Sequence, residues 1–156
     1  MADDENSDGS AEEGIPLLLN PATRIPTVEI PRGEELLQFS FRHIDLVNEK
    51  FSLSECTTEF FCLLMETIKT FSNWTVDDFQ DQNNKEHRHL IDFRQTTELN
   101  GFRDVVDPDQ FDYHEAWQFQ LFRTELWRVH GILVDNTFFV IWLDPMHKLF
   151  PINNSN

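Results

Sequence analysis

The sequence predicts an α+β fold in which one strand and two helices precede an antiparallel sheet that ends in a three-strand meander. Three patterns support this fold. Apolar and polar residues alternate over 37–42, apolar residues recur at helical spacing over 53–72, and the last third holds three apolar stretches separated by turns. The 156 residues are enough for one domain, and 15 Phe with 4 Trp predict a strongly aromatic core.

The first 35 residues differ in composition from the rest of the chain. Residues 1–14 are acidic and polar without apolar periodicity, which predicts a disordered acidic tail. Residues 15–35 carry prolines at regular intervals of five, which disfavour a helix and favour an extended arm. This arm either packs along its own domain or docks on another chain. A single α+β domain is predicted over residues 36–152. The prolines of the arm are Pro16, Pro21, Pro26 and Pro31.

Two capping patterns position the predicted helices. Ser52 with Glu55 three residues later is a plausible capping box, and it opens an amphipathic helix over 53–72. Thr75 with Asp78 repeats the pattern and opens a second, shorter helix that ends near residue 82.

The second half of the chain predicts a short strand at 89–93, a long loop at 95–114 and then the meander. Asp135-Asn136 is a good two-residue hairpin turn, because both residue types tolerate positive φ. The stretch 137–143 is apolar on both faces, which is typical of a central strand covered on each side. The strands of the meander are predicted at 117–121, 127–131 and 137–143.

The charge of the chain bears on its partners. The formal net charge is −16, and six of the acidic residues lie in the first 13 positions. A surface this negative repels a phosphate backbone, so the sequence disfavours non-specific nucleic-acid binding and favours a basic protein partner. The bland alternative is that the acidity serves solubility.

Other classes of protein are disfavoured by what the sequence lacks. It has no Gly-rich phosphate loop and no Gly-x-Ser-x-Gly elbow, so ATP-driven and serine-hydrolase chemistry are not predicted. Its N-terminus does not resemble a secretory signal, and no apolar run approaches the ~20 residues that span a membrane. Cys56 and Cys62 are spaced unsuitably for an internal disulfide. We therefore expect a cytoplasmic protein without a membrane association.

A small cationic patch is the first candidate site. Arg128 and His130 are separated by one residue on a predicted strand, so they lie on the same face. Arg123 lies on the preceding strand, and antiparallel pairing would bring it close to them. The patch either binds an anion such as a phosphate, with His130 as acid or base, or forms a solvated sheet face that pairs with Glu125 and Asp135.

The turn after the last strand is the second candidate site. Pro145 cannot continue a central strand, so the chain turns there. Asp144 then either makes a turn hydrogen bond to its own backbone or shares a metal or a proton with His147. A metal would need a third ligand, for which His130 and Asp135 are guesses. No metal site and no cofactor are predicted.

The order of elements and two phrases resemble the RelE/ParE-type toxin fold, a compact ribonuclease scaffold. The phrases are Arg128-Val129-His130-Gly131 before the hairpin and His147-Lys148-Leu149-Phe150 at the end. The resemblance covers residues 37–150 and implies catalytic roles for Arg128, His130 and His147, with Arg123 and Lys148 as substrate contacts. Phe150 stands where that family often has a Tyr used in RNA cleavage. The resemblance therefore also fits a relative that kept the fold and lost the cleavage.

Three hypotheses about function follow. The leading one is a non-enzymatic, acidic, cytoplasmic interaction protein that binds a protein partner through a RelE-like domain and the N-terminal arm. The alternative is a RelE-like ribonuclease or related phosphodiesterase, which would act on RNA through the arginines and histidines named above. The third is an acidic mimic of nucleic acid that occupies a basic protein.

Overall fold

The computed structural model describes residues 35–81, 83, 88–122, 124 and 126–151. The predicted acidic tail, nearly all of the predicted arm, Arg123 and Glu125 lie outside these residues. Within them, no helix has both the length and the apolar character needed to cross a membrane.

The described residues form three α-helices and five strands. The helices are α1 (Thr58–Phe71), α2 (Val76–Gln80) and α3 (Pro108–Phe111). The strands are β1 (Gln38–Ser40), β2 (Arg88–Leu90), β3 (Glu115–Gln120), β4 (Arg128–Val134) and β5 (Thr137–Asp144). Single 3-10 turns cover Glu49–Phe51, Leu53–Glu55 and Phe93–Gln95. The predicted α+β class is confirmed.

The strands form one five-stranded sheet in the order β1-β5-β4-β3-β2. β2 pairs antiparallel with β3, β3 with β4 and β4 with β5, so the predicted meander is present as β3 to β5. The sequence predicted no direction for the first strand, and β1 pairs parallel with β5, so the sheet as a whole is mixed. These two strands are far apart in sequence and no tight turn joins them, so packing sets their relative direction.

The predicted helix over 53–72 is shorter in the structure. Ser52 caps only the 3-10 turn that follows it, and Cys56 then adopts an extended backbone. Thr57 is the actual N-cap of α1, because its hydroxyl accepts the N–H of Phe60 at 3.1 Å. The second capping box is confirmed: Thr75 and Asp78 each accept a backbone N–H from the other, at 3.2 and 2.8 Å.

A hydrophobic core lies on each face of the sheet. The first core packs α1 and α2 against the sheet through Phe60, Phe71 and Phe79. The second core lies on the opposite face, where Phe51, Phe102 and Trp142 pack beneath irregular segments. β5 lies between β1 and β4 and is buried on both faces, as the apolar stretch 137–143 predicted.

A β-bulge interrupts the pairing of β4 with β5. The register moves from His130 opposite Trp142 to Gly131 opposite Val140, so Ile141 is the extra residue. Gly131 is required there, because a Cβ atom at this position would lie 2.2 Å from the carbonyl oxygen of Phe139. No side chain larger than hydrogen fits without moving the backbone of β5.

Candidate functional site

Polar side chains form a row across the second face of the sheet. Gln118 of β3 lies opposite His130 of β4, Gln120 lies opposite Arg128, and Arg128 lies opposite Asp144 of β5. Residues directly opposite each other in an antiparallel pair project on the same face. We call these five residues the polar row. The predicted spacing of Arg128 and His130 is therefore confirmed as a shared face.

His130 and Asp144 form a buried pair within the polar row. His130 Nε2 lies 3.1 Å from Asp144 Oδ2, and both side chains are at most 1 % exposed. Asp144 also accepts the backbone N–H groups of Lys148 at 2.8 Å and of Leu149 at 3.0 Å. One carboxylate thus receives three hydrogen bonds, and it attaches the segment after β5 to the centre of the sheet.

Burial determines the protonation of this pair. The pKa of His130 falls below its ordinary 6.5 because burial penalises the imidazolium, although the hydrogen bond and charge of Asp144 oppose this. Burial raises the pKa of Asp144. The hydrogen bond and charge of His130 and the N–H groups of Leu149 and Lys148 outweigh that effect, so its pKa falls below 3.8. The pair is therefore a neutral imidazole that donates from Nε2 to an ionised carboxylate.

The second ring nitrogen of His130 has another buried acceptor as its cross-strand neighbour. His130 Nδ1 and Gln118 Oε1 are both buried, and neither has a hydrogen-bond partner within the described part of the chain. The two residues lie opposite each other on one face. The neutral state of the ring therefore rests on the penalty that burial imposes on the imidazolium.

The accessible part of the site lies in the segment after β5. His147 adopts a positive φ of 56°, which is uncommon for a residue with a side chain. Its Nδ1 atom is hydrogen-bonded to the carbonyl oxygen of Phe150. A carbonyl only accepts, so Nδ1 carries a proton, and the lone pair of the neutral tautomer is on Nε2. Lys148 lies beside it, with Nζ 3.4 Å from Oε1 of Glu55.

An open groove of about 470 Å³ runs past this segment. We call it the C-terminal groove. Its mixed lining places two lysines and a histidine beside exposed apolar side chains. The residues that line it are Lys50, Thr97, Leu126, Met146, His147, Lys148 and Pro151.

Most cationic side chains of the described residues have partners within the chain. Arg88 is buried, donates to the carbonyl of Phe79 at 2.7 Å and lies 4.8 Å from the ring centroid of Trp74. Ion pairs join Lys50 to Glu98, Arg94 to Asp92, Arg103 to Asp112 and Lys148 to Glu55. Few cations of this part of the chain are therefore directed only at solvent.

The structure brings together several of the predicted site residues. His147, when it is protonated, and Arg128 lie close enough to His130 to lower its pKa further by their charges. Lys148 lies in the same loop, whereas Arg123 is outside the described residues. Arg128 is half-buried, and its Nη1 donates to the carbonyl of Trp127 at 3.3 Å. The predicted roles of these residues in catalysis and substrate binding remain predictions.

The structure overturns one sequence-based interpretation and confirms another. The solvated sheet face is wrong for His130, because that side chain is buried against Asp144 and Asp135 lies in the hairpin turn at the other end of β4. The turn hydrogen bond predicted for Asp144 is confirmed by its bonds to the N–H groups of Lys148 and Leu149.

Gln118 and Gln120 belong to the polar row but were not predicted from the sequence. The signal was the exact register of β3 on β4, which places each glutamine opposite His130 or Arg128. Within the described residues, no group of three or more His, Cys, Asp or Glu side chains could hold a metal ion. Burial first, and then the charges of Glu55 and Asp144, raise the pKa of the Cys56 thiol to about 11, which disfavours the nucleophilic thiolate.

Comparisons of the chain with protein-family models, with curated proteins and with solved structures find no match.

Proposed function

We propose that this chain is a small acidic interaction protein of the cytoplasm that binds a basic protein partner. The RelE-like interpretation of the domain and the contact through the N-terminal arm, residues 15–35, belong to this proposal. The observation that carries it is the excess of carboxylates over cations. The net charge is −16 because 28 acidic side chains outnumber 12 basic ones, and Lys50, Arg94, Arg103 and Lys148 each neutralise only one carboxylate, so an excess of negative charge remains.

The burial of His130 supports the same proposal. A side chain that transfers protons to a substrate must reach it, and His130 is 0 % exposed, with Nε2 committed to Asp144. Its role in this fold is to hold Asp144, which in turn holds the loop of His147 and Lys148. The buried pair of the polar row therefore fixes the conformation of the surface loop that holds His147 and Lys148, and this structural role favours binding over catalysis.

The proposal is tested by affinity purification of the tagged full chain at low and high salt. We expect a stoichiometric basic partner whose association rate falls as salt is raised and falls again in Asp104→Lys/Asp109→Lys, which reverses two exposed carboxylates. Lys69→Glu, an exposed change that adds negative charge, is the matched control and should not slow association. A monodisperse chain that recovers no stoichiometric partner and cleaves RNA would overturn the proposal.

A ribonuclease is the second candidate, and one observation favours it. His147 Nε2 carries a lone pair beside Lys148 in an open groove, and Arg128 lies nearby in the polar row. An imidazole base next to cations suits the cleavage of a phosphodiester. In this version His130 positions the loop and does not touch the substrate.

Induced expression in a bacterial host separates the two candidates. Wild type is compared with Arg128→Ala/His147→Ala, and growth and total RNA integrity are followed. Growth arrest with RNA cleavage by wild type alone establishes the ribonuclease. Intact RNA and normal growth with both chains favour the interaction protein.

A further inference from the structure

The C-terminal groove exposes apolar side chains that a second segment would cover. Leu126 is 44 % exposed and Met146 is 60 % exposed, and both line the groove together with Pro151. Covering apolar surface is favourable by roughly 25 cal/mol per Å². The surface therefore gains from contact with a short apolar segment.

The edge of the groove also suits carboxylates. Lys50 and Lys148 line it, and each side chain is 34 % exposed while paired with Glu98 or Glu55. An ammonium group has three N–H donors, so each lysine can donate to a second carboxylate without losing the first. A matching segment therefore has acidic residues next to apolar ones.

We propose that residues 12–19 of the same chain dock in the C-terminal groove, which leaves residues 20–35 of the arm for the contact with a protein partner. This segment reads Glu-Glu-Gly-Ile-Pro-Leu-Leu-Leu, so two carboxylates directly precede a run of large apolar side chains. The carboxylates of Glu12 and Glu13 pair with the lysines at the groove edge. The side chains of Leu17 to Leu19 cover Leu126 and Met146. Pro16 favours the extended conformation that lies along a groove.

The chain between this segment and the described domain is long enough. Glu35 is fixed at the hairpin end of β5, where Asn136 Nδ2 donates to its carboxylate at 3.0 Å. The groove lies at the opposite end of β5, a strand of eight residues that spans roughly 25 Å at ~3.3 Å per residue. The 16 steps from Leu19 to Glu35 reach ~50 Å when extended. The tether also gives the segment an effective concentration that no separate ligand has.

Methionine methyl resonances test the docking in the full chain. Of its three methionines, Met146 lines the groove and Met65 is exposed on α1, which makes Met65 an internal control. In chain labelled with ¹³C-methyl methionine, we expect Leu17→Ser/Leu18→Ser/Leu19→Ser to move the Met146 resonance by more than its linewidth. Glu12→Lys/Glu13→Lys should move it in the same direction. Met65 should stay in place in both variants.

Further measurements identify the occupant. A synthetic peptide of residues 12–19, added to the leucine variant, should return the Met146 resonance toward its wild-type position. Leu46→Ser, which changes an exposed leucine outside the groove, should leave that resonance unmoved. Identical Met146 positions in wild type and both N-terminal variants would overturn the proposal. A wild-type difference that disappears on dilution would assign the groove to a second copy and would also overturn it.

Discussion

Removal of the Asp144 carboxylate tests whether it joins the end of β5 to the sheet. In Asp144→Ala, three donors lose their acceptor: the N–H groups of Lys148 and Leu149 and Nε2 of His130. Leu149 and His130 are fully buried, and each unsatisfied buried donor costs about 1–3 kcal/mol. The part-buried Lys148 N–H costs less, because water reaches it. We expect the free energy of unfolding to fall by roughly 3–5 kcal/mol, the range for breaking a buried pair.

Asp144→Asn should cost less than Asp144→Ala. The amide oxygen can still accept the Lys148 N–H, and His130 can change tautomer to accept from the amide nitrogen. The N–H of Leu149 then faces another donor, so we expect a loss of about 1–3 kcal/mol. The exposed carboxylate of Asp104 gives the control Asp104→Ala, which should change stability by less than about 0.5 kcal/mol.

Urea denaturation measures these differences. With a slope of about 2 kcal/mol per M, a loss of 3–5 kcal/mol lowers the midpoint by roughly 1.5–2.5 M. Equal midpoints for Asp144→Ala and Asp104→Ala would refute the reasoning. They would show that, without the carboxylate, the three donors form equally favourable hydrogen bonds to water. The reasoning also requires that stability rises from Asp144→Ala to Asp144→Asn to wild type.

Three further predictions concern other parts of the fold. Gly131→Ala should lower the free energy of unfolding by at least about 1–3 kcal/mol, since its Cβ would lie 2.2 Å from the Phe139 carbonyl oxygen; a thermal melt equal to wild type would contradict this. Stability should fall as pH drops below 6.5, because the lowered pKa of buried His130 means that the unfolded chain binds the proton first. His130→Asn should reduce this dependence of stability on pH, as measured by urea titrations between about pH 7 and about pH 5. Some dependence should remain, because burial also lowers the pKa of His43. An unchanged dependence would show that His130 does not cause it. Thr75→Ala should cost about 1 kcal/mol by removing the N-cap of α2, as measured by chemical denaturation, and no loss would mean that this cap is idle.

Much of the fold was predictable because its signals are local. The box of Thr75 and Asp78 and the Asp135-Asn136 turn involve residues close in sequence, so the pattern alone identified them. The start of α1 was misplaced because Ser52 and Thr57 both offer plausible caps. The extended backbone of Cys56 decides that Thr57 is the cap of α1, and the residue types in this stretch do not predict that conformation.

The candidate site was only partly predictable. The shared face of Arg128 and His130 follows from strand periodicity, and the turn after Asp144 follows from Pro145. Burial of His130 could not be read, because the irregular segments that cover the second face show no periodicity. Because these segments cover His130, the residue predicted as an acid or base is instead a buried partner of Asp144.

The sequence by itself determined the α+β class, the meander, the hairpin turn and the negative charge, since each depends on composition or on neighbours along the chain. Only the tertiary structure decided that β1 runs parallel to β5, that a bulge at Ile141 requires Gly131, and that Gln118 lies opposite His130. These features depend on contacts between residues distant in sequence. Their geometry is set by packing on both faces of the sheet, and no local pattern records it.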